Sequence, residues 1–166
     1  MQESAISRRH RDGSFRDPER VVETIPSLNG LERRMHWLFD MKEKPYDFRD
    51  RSFLFARDIV AFARVVAERG YIMRRLAGQL VDAGTSVGAN LEESVDGQSK
   101  PDFISKQCIA LKESREARFW LRLIAVSEPD FAQRAKPLIV EASEFVAMLT
   151  TSVRTARSNA SRGGAP

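Results

Sequence analysis

The sequence predicts an all-α protein: an up-down-up-down antiparallel four-helix bundle with a poorly ordered N-terminal extension. Three observations lead there. Four long stretches between residues 51 and 159 carry apolar residues at steps of three and four, which keeps them on one face of a helix. The breaks between these stretches are short and rich in Gly, Pro, Ser and Asp. No segment shows the period-two alternation of a half-buried strand. Amphipathic helices joined by short connections pack as neighbours of alternating direction.

Residues 1–50 form the extension. Residues 1–28 are polar and without sustained period, and are expected to be mostly disordered. A short helix is expected over 29–41, with Ser27 or Asn29 as its cap and Leu31, Met35 and Leu38 on one side. Pro45 would end it. Met41 opens the stretch MKEKPYDFRDR, which serves equally well as a native start, leaving 1–40 as an over-long reading of the gene.

The first bundle helix is expected over 51–69. Phe55, Ile59, Phe62 and Val66 share a face, Arg57, Arg64 and Glu68 lie opposite, and Gly70 is the stop. The second is expected over 71–94. Met73, Ala77, Leu80, Gly84, Val87 and Leu91 keep a heptad-like rhythm, with Gly78, Ala83, Ser86, Gly88 and Ala89 beside them. Each mid-helix glycine costs about 1 kcal/mol against alanine. Gly84 and Gly88 are therefore assigned to close helix packing, in a central helix touched on more than one side.

A turn with Gly97 at its middle follows. Ser99-Lys100-Pro101-Asp102 then has the form of a helix start: a capping serine, a first-turn proline, and an aspartate at the positive end of the dipole. Ser127-Glu128-Pro129-Asp130 repeats the device. The two bracket a third helix over 101–126, with Phe103, Ala110, Ser114, Ala117, Leu121 and Ile124 inward. The fourth is expected over 129–158. Ala135, Leu138, Ala142, Phe145, Leu149, Ser152 and Ala156 face inward, and Pro137 is expected to kink or restart it. The bundle thus covers 51–159, and 160–166 is a flexible tail.

Charge narrows the function classes without choosing one. The net charge is +4. Residues 1–50 cancel at ten basic and ten acidic, and 51–150 nearly cancel at fourteen and thirteen. The rest is Arg154, Arg157 and Arg162. This is not the dense patch that identifies a nucleic-acid binder by charge alone. A single cysteine, Cys108, excludes a disulfide framework within the chain and reads as a small packing residue. The apolar runs are too short to span a membrane, and no signal peptide is visible, so a cytoplasmic location is the default expectation. The sequon Asn159-Ala160-Ser161 reads as chance in that setting.

The central hairpin resembles a known family. The residues that carry the resemblance are Gln79-Leu80, then Ser86 to Glu93 (SVGANLEE), Ser99, Asp102-Phe103, Ile109 to Glu113 (IALKE), Glu116 and Trp120-Leu121. They are similar, in order and spacing, to the bacterial four helix bundle proteins encoded in intervening sequences of large-subunit ribosomal RNA genes. The resemblance covers residues 53–151. Ser94 departs from it, standing where the family often has glycine. The resemblance implies a small helical bundle that assembles into rings, typically homopentamers, with no assigned activity. A related branch serves diversity-generating retroelements as an accessory protein, in which a basic ring binds a reverse transcriptase and nucleic acid.

The candidate sites follow from residue type and spacing. Gly84-Thr85-Ser86-Val87-Gly88 matches the G-x-S-x-G pattern of a hydrolase elbow, but that motif needs a preceding strand and a histidine partner. It lies mid-helix, and the only histidines are His10 and His36. No catalytic residue is assigned. Asn90, Glu93, Glu113 and Glu116 form a polar set expected to fix helix ends or a subunit contact. A di-metal bundle site would need Glu-x-x-His pairs, which these helices lack, so no metal ligand and no cofactor is assigned. Lys112, Arg115, Arg118 and Arg122 crowd one side of the third helix and, with Arg154 and Arg157, are the candidate contacts to RNA or DNA. Interleaved acids, such as Glu116 one turn from Lys112, are expected to compensate that charge locally and make it a solvated or intersubunit face. Phe119 and Trp120 are adjacent and cannot both face the core, so one is expected to point to a neighbouring subunit.

The expected function is a non-enzymatic, homo-oligomeric, ring-forming scaffold, pentameric as the resemblance implies. The alternative is a nucleic-acid-binding accessory protein of a reverse transcriptase. A metal enzyme is a third reading, to be decided by elemental analysis.

Overall fold

A computed structural model describes residues 47–162, with side chains to residue 160. The extension before residue 47, its expected helix over 29–41, and residues 163–166 lie outside the described residues. Four α-helices account for nearly all the rest: α1 Phe48–Ala67, α2 Tyr71–Val95, α3 Lys100–Ser127 and α4 Ala132–Arg162. A single 3-10 turn, Pro129–Phe131, precedes α4. No strand occurs among the described residues, and no helix among them is long and apolar enough to cross a membrane.

Local chemistry sets the helix ends. Asp47 caps α1, its carboxylate accepting from the Arg49 amide at 2.8 Å. Gly70 sits between α1 and α2 at φ 118°, a left-handed backbone that suits glycine. Ser99 caps α3 as expected, its hydroxyl accepting from the Asp102 amide at 3.3 Å. The second expected cap is not formed. α3 runs through Ser127, and Glu128 occupies the cap position of the 3-10 turn without a side-chain bond. The turn from Pro129 to Phe131 separates the two helices, so Pro137 is not where the chain restarts. α4 continues through it. A proline at the sixth residue removes only a bond to Gln133, whose exposed first-turn position leaves its carbonyl to water.

One apolar core runs the length of the four helices. Phe55, Ile59, Phe62 and Val66 meet Leu80, Val87 and Leu91, Ala117, Leu121 and Ile124, and Leu138, Phe145 and Leu149. Two expectations shift, one by a turn and one by a single residue. Phe103 is only half-buried and Gln107 takes the buried place on α3, while Val153 is buried on α4 beside a half-buried Ser152. The swap leaves a polar link inside the bundle, with the Ser152 hydroxyl donating to Gln107 Oε1.

The seams differ in kind. α1 and α2 approach through small residues: a Cβ added at Gly84 would lie 2.7 Å from Ile59 Cγ2, and one at Gly88 would lie 3.6 Å from the Ser52 carbonyl. The backbones of α1 and α4 stay further apart. Aromatic rings span that gap. Phe145 packs on Phe48 and Phe55 with centroids 5.4 and 5.3 Å apart, and Phe62 meets Phe131 edge-on at 5.8 Å.

Candidate functional site

The expected polar set is distributed along the α2–α3 seam and does not converge on a point. Glu93 forms an ion pair with Lys106 across the two helices, which holds the lysine above its ordinary pKa. Asn90 turns inward on its own helix, its Nδ2 donating to the Ser86 carbonyl at 2.9 Å. Glu116 accepts from Trp120 Nε1 at 3.1 Å. Glu113 is half-buried and makes no hydrogen bond or ion pair among the described residues. Burial, and then the charge of Glu116, push its carboxyl above the usual range. Of the four, only Glu93 links two helices. No group of three or more His, Cys, Asp or Glu among the described residues is placed to hold a metal ion. Ser86, the middle of the hydrolase-like pattern, is mid-helix and half-buried.

Gly84 and Gly88 are both buried, and their neighbours are Ile59 and Ser52 of the same chain. Their role is close packing within one bundle. Gly78, by contrast, is exposed with nothing within 4 Å of an added Cβ.

Sequence reading missed the strongest charged cluster. Arg51 donates through Nε and Nη2 to Glu141 and through Nη2 to Glu144, and its guanidinium lies 5.5 Å from the Phe145 ring centroid. Glu141 is 4% exposed. The bonds to Glu141, and then to Glu144, keep Arg51 above its ordinary value. Two turns along α1, Asp58 is buried, and burial pushes its carboxyl up against the opposing pull of Arg57. Arg51 and Glu141 are ninety residues apart. The only trace in the sequence is a charge adjacent to inward positions, at Glu141 beside Ala142 and Asp58 beside Ile59.

The expected nucleic-acid contacts do come together. At 3.6 residues per turn, Cys108, Lys112, Arg115, Arg118 and Arg122 fall within about a third of the circumference of α3. Arg157 Nη2 donates to Cys108 Sγ at 3.3 Å, which sets the C-terminal half of α4 alongside. Arg154 lies one turn before Arg157 on the same side. All six cations are exposed except Arg118, which is half-buried. The expected local compensation is absent. Among the described residues, Lys112, Arg115, Arg118, Arg122 and Arg154 have no ion-pair partner, and Glu116 bonds Trp120 instead of Lys112.

An apolar ridge runs through the same side of α3. Phe119, Leu123 and Val126 are 56%, 36% and 80% exposed and lie opposite Ala117, Leu121 and Ile124 on α3. The two adjacent aromatics divide as their geometry requires: Trp120 packs against the core, and Phe119 meets it edge-on at 4.9 Å from outside.

The profile of the 23S rRNA-intervening sequence protein family matches residues 45–151. A crystal structure from Bacteroides thetaiotaomicron VPI-5482, described as a protein of unknown function from the S23 ribosomal protein family, is 30% identical. The match covers 63% of this chain and 96% of that one, with a TM-score of 0.58. No curated protein matches the chain. A family match over well more than half of the sequence, joined to a solved neighbour at this identity, places the chain in the family of 23S rRNA-intervening sequence proteins.

Proposed function

We propose that the protein is a non-enzymatic scaffold that assembles with copies of itself into a ring, five copies being the number the family resemblance implies. The observation that carries this reading is the outward ridge of Phe119, Leu123 and Val126. Fully burying one such side chain is worth about 1.5–3 kcal/mol, so a contact over three of them supplies a useful part of an association energy. In a cyclic ring the contact is head-to-tail, so the ridge forms one half of it and a different surface of the next copy the other. The glycines of α2 do not support the ring, because their close contacts lie within the chain. The non-enzymatic half of the reading rests on the scattered polar set and on a Ser86 with no strand or histidine beside it among the described residues.

The test is molar mass by light scattering at micromolar concentration. The expected result is a multiple of the 18.8 kDa chain, reduced to the monomer by Phe119→Asp with Leu123→Asp. A monomeric wild-type protein ends this reading.

A further inference from the structure

We infer that the outward face made by α3 and α4 binds the phosphodiester backbone of nucleic acid. The inference does not rest on ring formation, because a single copy carries the whole face. Lys112, Arg115, Arg118 and Arg122 supply its α3 side, and Arg154 and Arg157 its α4 side. Lys136 joins them: it precedes Arg154 by eighteen residues, about five full turns, and so returns to the same angle on α4. Seven cations therefore share the face.

No carboxylate falls within that arc of either helix. Glu113 and Glu116 are rotated out of the arc on α3, and Glu116 is engaged by Trp120. Glu141 and Glu144 are turned to α1, where Arg51 holds them. Helical phase thus separates charges that alternate along the chain: acids go to the seams and cations stay outside. The chain is nearly neutral in 51–150, yet this face is not.

Dimensions fit the ligand. From Lys136 to Arg157 the helix rises about 30 Å. A duplex carries a phosphate every 3.4 Å or so of its axis on each strand, so the face is as long as about nine base-pair steps. Arginine side chains give forked donors that match phosphate oxygens, and five of the seven cations are arginine. The contact between Arg157 and Cys108 fixes one end of the row.

The experiment is fluorescence anisotropy of the full chain with three labelled probes: a thirty-nucleotide DNA strand, the same RNA strand, and the DNA duplex. Each is titrated from about 20 to 200 mM potassium chloride, and the three arms show which form of the backbone is preferred. Binding that weakens steeply with salt is expected for at least one probe. Arg115→Gln, Arg118→Gln and Arg122→Gln together should weaken it at least tenfold. They should also flatten the logarithmic salt slope by about two for a single strand and nearly three for the duplex, three phosphate contacts having been lost. Arg64→Gln, Arg74→Gln and Arg75→Gln, exposed on α1 and α2, should leave affinity within about twofold. Circular dichroism checks that both triples fold. Absence of binding to every probe at the lowest salt overturns the inference. So does equal loss in the two triples, or binding to anionic phosphatidylserine vesicles without binding to any oligonucleotide. Molar mass in the same buffer separates the two proposals: a monomer that binds keeps this one and ends the ring.

Discussion

Gly84→Ala isolates the close approach of α1 and α2. A Cβ at that position would lie 2.7 Å from Ile59 Cγ2, 2.9 Å from Cγ1 and 3.1 Å from Cβ. These atoms belong to the base of the isoleucine, not to a free end that can swing aside, so α1 itself has to move. Overpacking of this kind costs about 1–3 kcal/mol. Replacing a helical glycine by alanine returns about 1 kcal/mol. The net expectation is a loss of roughly 0–2 kcal/mol. Gly78→Ala is the matched control, being in the same helix with nothing within 4 Å of the added atom. It should gain about 1 kcal/mol, the propensity contribution alone. The two variants should therefore differ by about 1–3 kcal/mol. Urea unfolding followed at 222 nm measures this, at one fixed protein concentration so that any association is held constant. If Gly84→Ala proves as stable as Gly78→Ala, then α1 is not packed against the bare backbone of α2, and the account of that seam is wrong.

Arg51→Met takes the guanidinium from beside the buried Glu141 and should destabilise the bundle by about 3 kcal/mol. A loss under about 1 kcal/mol in urea unfolding would show that the cluster does not tie α1 to α4. Asp58 gives a pH test. Its carboxyl is raised in the folded state, so the stability it contributes is present below the ordinary aspartate value and lost as pH rises through the raised one. Asp58→Asn should accordingly be more stable than wild type at pH 7 and lose the advantage towards pH 3. An advantage that grew on acidification would contradict the burial argument. Ser99→Ala should lower stability by about 1 kcal/mol through loss of the α3 cap, whereas Ser127→Ala should change it little. Equal effects in thermal melts would reverse the assignment of the two serines.

Much of the fold was legible because helix periodicity is local. The rows Phe55–Ile59–Phe62–Val66 and Leu80–Val87–Leu91 declare an inward face within a few turns, and the structure buries them. The first capping serine was equally legible, since Ser99 acts on an amide three residues away. Ser127 misled because the same four-residue pattern also suits the end of one helix running into a 3-10 turn. Which of the two forms depends on how far α3 is carried by its packing.

Periodicity names the residues that share a face. It does not say which two faces meet, at what separation, or which charges find partners. Gly84 could have served a neighbouring chain as well as its own, until Ile59 appeared above it. Lys112 and Glu116, adjacent on paper, stay apart, while Arg51 and Glu141 join across ninety residues. By itself the sequence determined four amphipathic helices, their order and the Ser99 cap, all of which follow from interactions within a few residues. Only tertiary structure decided the tight and wide seams, the buried ion cluster, and the outward row of cations on α3 and α4. Those depend on the rotation of each helix about its axis, and packing against distant residues settles that rotation.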